Sequence, residues 1–266
     1  MVTDIVVEKQ FRDYTQVPDR VSRVYKANHE EQTVSLVLQK KKQYTNLQHD
    51  PERVKTVWEQ LIRLNDLVDD SDPDISLSQM QHAFQCAEKA REDGKPRWFQ
   101  LVCLIHDLGK VLYFYGEPQH LVVGDTFVVG CQFSPKVIYH EFFNQNPDAS
   151  DGRYNSKFGI YEPNCGLDRV HMSWGHDEFL YHVVKQHLSP KAAYIIRYHS
   201  FYAYHQHREY AHLMNDYDRM MIESVREFNP YDLYSKSDDA PSDDDPALIE
   251  YYKELIDEFI PGPIQW

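Results

Sequence analysis

The stretch Leu101-Val-Cys-Leu-Ile-His106-Asp107-Leu-Gly109-Lys110-Val111-Leu112 constrains this chain more than any other. Apolar residues run into adjacent His and Asp, and the apolar pattern then resumes. An ionised Asp and an unpaired His are costly to bury, so the pair needs a strong partner. A metal cation is the natural candidate, with a buried ion pair as the alternative. On a helix, successive residues project about 100° apart, so His106 and Asp107 splay around one point and Lys110 returns over the same face. Gly109 costs about 1 kcal/mol in a helix relative to Ala, which predicts a close approach to the backbone there.

The apolar fraction of 42%, with 14% aromatics, supports a substantial core and excludes global disorder. With 42 acidic against 28 basic residues the net charge is −14, which argues against nucleic-acid or anionic-membrane partners. No signal peptide and no membrane span are expected, so the chain reads as a soluble cytoplasmic protein, and a monomer is expected. Cys86, Cys103, Cys131 and Cys165 are scattered and expected to be reduced core residues. Histidine is the unusual count, at 14. Many His and carboxylates without a Cys cluster suit iron, manganese or zinc in a nitrogen–oxygen site.

Periodicity predicts a mainly α single domain over 1–266, with residues 1–10 flexible. Helices are expected over 18–43, 50–68, 78–92, around the His106 stretch, and over 174–187, 190–205, 211–227 and 247–260. Phe228-Asn-Pro-Tyr-Asp232 reads as a break, and 237–246 as an acidic surface loop. Asp69-Asp-Ser71-Asp-Pro-Asp74 has the composition of a solvated turn. A β-branched run between Gly124 and Gly130 predicts a small hairpin or strand pair. Residues 131–170 read as loop, with one short helix near 135–144.

His82, His106, Asp107, His176, His199 and Asp232 fall on inward stripes or at helix ends. No H-E-x-x-H zinc motif, Glu-x-x-His di-iron pair, G-x-S-x-G elbow, phosphate loop or dinucleotide glycine motif accompanies them. Four His and two Asp suit two metals better than one. If Asp107 and a hydroxide bridge the metals, one takes His82, His106 and Asp232 and the other His176 and His199. The second metal then keeps two adjacent octahedral positions, which a vicinal diol would fill as a chelate.

The order H…HD…H…H…D is similar to the HD-domain superfamily of helical metal proteins. Within it the chain resembles the myo-inositol oxygenase family. The resemblance rests on Asp66-Leu-Val-Asp69-Asp-Ser71-Asp-Pro-Asp74, His82-Ala-Phe-Gln85 and Leu104-Ile-His106-Asp107-Leu-Gly-Lys110-Val111-Leu112. It extends through Val123-Gly124-Asp125-Thr126-Phe127, Ser173-Trp174-Gly175-His176-Asp177-Glu178, Ile196-Arg-Tyr-His199-Ser200-Phe201-Tyr202 and Phe228-Asn-Pro-Tyr-Asp232-Leu-Tyr-Ser-Lys236. It implies an HD-domain-like helical bundle with a small β-hairpin element. The implied activity is a mixed-valent Fe(II)/Fe(III) oxygenase that cleaves the C1–C6 bond of myo-inositol with O2. D-glucuronate and water are the implied products, this is the first step of inositol catabolism, and no external reductant is used.

By the same resemblance, His82, His106, Asp107 and Asp232 hold one iron, and Asp107, His176 and His199 the other. The implied substrate cradle is Arg12, Asp69, Ser71, Lys110, Gly124, Asp125, His199, Ser200 and Lys236. Lys110 and Asp107 are the catalytic pair, with Lys110 either hydrogen-bonding the substrate oxygen or helping to take up its proton. His171, His182, His187, His205, His207 and His212 match no ligand position. The rival reading is an HD-type phosphohydrolase, which would want more Arg and Lys than Arg12, Lys110 and Lys236 supply. A scaffold with a structural metal would close its coordination sphere, whereas six ligands leave this one open.

Overall fold

The computed structural model describes residues 14, 17–45, 50–73, 78–234, 242 and 244–266. Its first helices are α1 (Asp19–Glu31) and α2 (Val34–Thr45), followed by strand β1 (Val54–Lys55), α3 (Val57–Leu64), α4 (Gln79–Glu92) and α5 (Arg97–Ile105). Strands β2 (Val128–Val129) and β3 (His171–Met172) precede α6 (His176–Val184), α7 (Pro190–Tyr198) and α8 (Tyr202–His205). The chain closes with α9 (Asp216–Tyr234), α10 (Pro246–Phe259) and strand β4 (Ile264–Gln265). The fold is mainly α. No helix among the described residues is long and apolar enough to cross a membrane.

Helix α5 is the axis of the bundle. Every residue from Phe99 to Ile105 is buried, as a helix apolar on all sides requires. Helices α4, α7, α9 and α10 pack around it. Each Leu, Ile, Val or Phe so enclosed contributes about 1.5–3 kcal/mol. The helix ends where its apolar run ends: His106 is its C-cap, and after Asp107 the chain tightens into a 3₁₀ helix, Leu108–Tyr115. His106 and Asp107 therefore sit at a junction between two kinds of helix, not within one. Gly109 shows why the junction matters. A Cβ there would lie 2.1 Å from the carbonyl oxygen of His176, so the close approach expected at Gly109 is made by the first residue of α6.

Several element boundaries differ from those expected, each for a tertiary reason. The helix over 18–43 is two, because Gln32 turns its amide to Trp174: Nε2 donates to the Trp174 carbonyl (2.6 Å) and Oε1 accepts from the Trp174 N–H (2.9 Å). Thr33 Oγ1 and Asp148 Oδ2 then accept from the first N–H groups of α2. In the span 50–68, Asp50 caps only a 3₁₀ turn, Pro51–Arg53, and Val54 pairs with Gln265 across β1 and β4. Helix α3 starts behind the Thr56/Glu59 capping box, and Val68 stays 60% exposed. Helix α4 begins on the expected cap, Ser78, in a second capping box with Gln81. Strand β2 pairs with β3, distant in sequence and antiparallel to it. Of 131–170, the short helix lies at His140–Gln145.

The expected break at 228–232 is absent: α9 runs through Pro230. Pro230 forfeits one helical hydrogen bond. Phe228, 0% exposed, and Asp232, buried at the far side of the proline, hold both halves against the bundle. Helix α10 begins at Pro246 behind Asp245, whose carboxylate accepts from Ala247 N–H. All four cysteines are free thiols, with Cys86, Cys103 and Cys131 buried.

Candidate metal centre

Five helices converge by their ends on a single pocket. His106 and Asp107 come from the end of α5, His176 from the first turn of α6, and His199 from the C-cap of α7. His82 lies in the first turn of α4, and Asp232 near the end of α9.

The orientation of the imidazoles is fixed from behind. His106 Nδ1 donates to the Cys103 carbonyl (2.8 Å), His176 Nδ1 to the Val122 carbonyl (2.8 Å), and His199 Nδ1 to the Ile196 carbonyl (2.9 Å). A carbonyl only accepts, so each ring keeps its proton on Nδ1 and turns a bare Nε2 inward. Those inward nitrogens meet one another. Nε2 of His82 lies 3.3 Å from that of His106, and Nε2 of His176 lies 3.3 Å from that of His199. Carboxylate oxygens complete both sets. Asp107 Oδ2 is 3.5 Å from His82 and from His106, and Asp232 Oδ1 is 3.3 and 3.5 Å from them. On the other side, Asp107 Oδ1 is 3.4 Å from His176 and 3.7 Å from His199. Asp107 is thus common to two donor sets, one oxygen facing each.

Lone pairs gathered at such distances repel unless cations lie among them. Octahedral metal–ligand bonds of about 2.1 Å put neighbouring donors about 3.0 Å apart, close to the spacings here. The donor set is imidazole and carboxylate with no sulfur, which suits iron, manganese or zinc. Burial alone would raise the Asp107 carboxyl, but the Lys110 ammonium holds it well below the usual carboxylate range, so it stays anionic.

The pocket above these groups is lined by Asp69, Ser71, Lys110, Gly124, Asp125 and Ser200. Arg12 and Lys236 lie outside the described residues. Lys110 bridges two carboxylates, its Nζ 2.8 Å from Asp107 Oδ2 and 2.8 Å from Asp69 Oδ2. Burial would lower its pKa, but Asp107 and Asp69 overcome that and raise it well above the ordinary lysine value. Ser71 donates to Asp69 Oδ1 through both Oγ (2.6 Å) and N–H (2.8 Å). Asp69 and Ser71 are buried, so what reads by composition as a solvated turn instead forms the pocket wall. Tyr25 donates to Asp125 Oδ1 (3.1 Å), and Tyr202 to Asp232 Oδ2 (3.2 Å). Of the remaining histidines, His205 is buried and its Nε2 lies 2.9 Å from the carbonyl oxygen of His199.

Sequence reasoning misses Asp177. It is 1% exposed, and its Oδ1 lies 2.8 Å from His176 Nε2 and 3.4 Å from His199 Nε2. The available signal is the dipeptide His176-Asp177, which repeats His106-Asp107.

Fold and site together define a helical protein built around a paired His/Asp donor cluster beneath a polar pocket. A family model described as myo-inositol oxygenase matches residues 18–266. The chain is 47% identical over 263 residues to the inositol oxygenase of Homo sapiens, covering 96% of this chain and 90% of the relative. It is 45% identical over 267 residues to that of Dictyostelium discoideum (97% and 90% covered), and 46% identical over 253 residues to that of Danio rerio (93% and 89% covered). The chain belongs to the myo-inositol oxygenase family, and it is an oxygenase.

Proposed function

We propose that this chain, acting as one domain over 1–266, uses O2 to cleave the C1–C6 bond of myo-inositol to D-glucuronate and water, the first step of inositol catabolism. Its centre is read as a Fe(II)/Fe(III) pair, one iron held by His82, His106, Asp107 and Asp232 and the other by Asp107, His176 and His199. The observation that carries this reading is Asp107, whose two carboxylate oxygens face two separate sets of inward-turned imidazoles. When bound, the irons supply Lewis acidity toward a substrate hydroxyl and redox capacity toward O2.

The remaining roles belong to protein side chains. Lys110 sits between Asp107 and Asp69, 2.8 Å from each, where it can donate a hydrogen bond to a substrate oxygen or help to take up its proton. Asp69, Ser71, Gly124, Asp125, His199 and Ser200 would surround the remaining hydroxyls, with Arg12 and Lys236 completing the cradle. Buried polar groups left unpaired by an analogue lacking a hydroxyl are how such a site selects a polyol. A phosphohydrolase is disfavoured, because among the described residues lining the pocket Lys110 is the only Lys or Arg and it is already paired twice.

The test is O2 uptake by iron-loaded protein. Consumption that requires myo-inositol, with glucuronate accumulating, is expected. Phosphate-ester hydrolysis under anaerobic conditions, with no inositol-dependent O2 uptake, would replace this reading with the hydrolase.

A further inference from the structure

We propose that Asp177 is a positioning residue that accepts the hydrogen bond of the Ser200 hydroxyl, so that Ser200 meets the substrate as a hydrogen-bond acceptor. This rests on the reading of Ser200 as part of a polyol cradle. Asp177 follows His176 in the first turn of α6, and Ser200 follows His199 at the end of α7. The two dipeptides are clasped together. Ser200 N–H donates to Asp177 Oδ2 (3.1 Å), Thr126 Oγ1 donates to the same oxygen (3.3 Å), and Thr126 N–H donates to the Ser200 carbonyl (3.0 Å). The backbone of Ser200 is therefore fixed on both sides.

Its side chain has one hydrogen and two acceptors within reach: Asp177 Oδ1 at 3.1 Å and His176 Nε2 at 3.2 Å. His176 Nε2 belongs to the donor set of the proposed metal centre, and a cation held there would engage its lone pair. The carboxylate is in any case the stronger acceptor for a hydroxyl. With its hydrogen committed to Asp177, Ser200 Oγ has only lone pairs left for the pocket that it lines. A ligand at that point must bring a hydroxyl that donates.

Asp177→Asn reverses this polarity at nearly constant volume. Ser200 N–H and Thr126 Oγ1 both need an acceptor, so the new amide's oxygen takes the place of Oδ2 and its NH2 group faces Ser200 Oγ. Ser200 then accepts from that NH2 group and turns its own hydrogen to the pocket.

Monofluoro-monodeoxy derivatives of myo-inositol are the probe, because fluorine fills the space of a hydroxyl but cannot donate. The position that Ser200 reads is the one whose penalty disappears in Ser200→Ala. We expect the wild type to discriminate there by about 10- to 100-fold in kcat/KM, the range for leaving a buried polar group unpaired. Asp177→Asn should abolish the same penalty at the same position, raise KM for inositol about tenfold, and keep the wild-type iron content. The double variant should be no worse than either single one, since both remove one interaction. Inositol turnover with the fluoro penalty intact in Asp177→Asn would overturn this inference alone, as would loss of an iron, which would make Asp177 a ligand. No inositol turnover by the wild type would overturn both this inference and the functional reading. If Asp177→Asn does not fold, Ser200→Ala decides: a fluoro penalty that it relieves at no position means that Ser200 donates, and the proposal fails.

Discussion

Asp107 occupies the place where two requirements meet, since each of its oxygens faces a different pair of imidazoles. An amide has one acceptor and one donor end, so Asp107→Asn cannot serve both sets. We predict that this variant, reconstituted with iron and analysed for metal per chain, loses at least one equivalent. Retention of the full complement at unchanged affinity would remove Asp107 from its shared role. Lys110 and Asp125 stand above the donor sets, not among them. Lys110→Ala and Asp125→Ala should therefore keep the wild-type iron content while turnover falls by about 10²-fold or more, within the range for losing a placed electrostatic group. Iron lost in proportion to activity in either variant would show that ligand and cradle are not separate. The six clustered His and Asp residues are legible in the sequence because paired His and Asp on apolar stripes have few reasons to exist other than as candidate metal donors. Asp177 is not, because its role lies in hydrogen bonds to Ser200 and Thr126, residues far from it in the chain.

At the scale of elements, the site depends on how α5, α6 and α7 meet. Gly109 lets the turn after Asp107 pass directly under the His176 carbonyl, 2.1 Å from where a Cβ would be. Gly109→Ala must push α6 away from the 3₁₀ helix Leu108–Tyr115. We expect it to lower stability by about 1–3 kcal/mol, as overpacking does, and to impair iron retention in the His176/His199 set. Wild-type melting and metal content in this variant would contradict the packing described. Helices α6 and α7 are tied by Glu178 and Arg197, whose Nε and Nη2 donate at 2.7 and 3.0 Å, with Lys41 2.9 Å from the same carboxylate. Burial would raise the Glu178 carboxyl, but Arg197, then His182 and Lys41, hold it well below the ordinary range. Because its folded pKa is depressed, its stabilisation is fully present above the unfolded value of about 4.3 and is lost as pH falls below it. Glu178→Gln leaves the buried Arg197 with only the exposed Asp168 as an anionic partner and should cost about 3–5 kcal/mol at neutral pH. Its stability should also fall less steeply below pH about 4.3 than that of the wild type, as read from denaturant unfolding across pH. Equal acid slopes in both proteins would show that Glu178 carries no such linkage.

For the whole molecule, the mainly α architecture follows from periodicity, and most helix centres lie where 3.6-residue spacing puts them. Boundaries deviate where tertiary packing intervenes: Trp174 ends α1 through Gln32, Gln265 draws Val54 into a strand, and the burial of Phe228 and Asp232 against neighbouring helices carries α9 past Pro230. Trp174, Gln265 and the helices packed on α9 all lie far away in sequence, so local propensity could not reveal them. The pocket wall at Asp69 and Ser71 is hidden for the same reason, because its apparent solvation is cancelled by Lys110. Among the described residues, the assembled fold provides a floor of clustered imidazoles and carboxylates, one paired ammonium and walls bearing hydroxyls and carboxylates, an arrangement suited to a neutral polyol. The central claim is that O2 itself is incorporated as the ring opens. The direct measurement is turnover of myo-inositol by the iron-loaded enzyme under 18O2 in unlabelled water, with the product examined by mass spectrometry. We predict glucuronate carrying one 18O atom in its carboxylate. Unlabelled glucuronate, or product formed at an undiminished rate without O2, would contradict it.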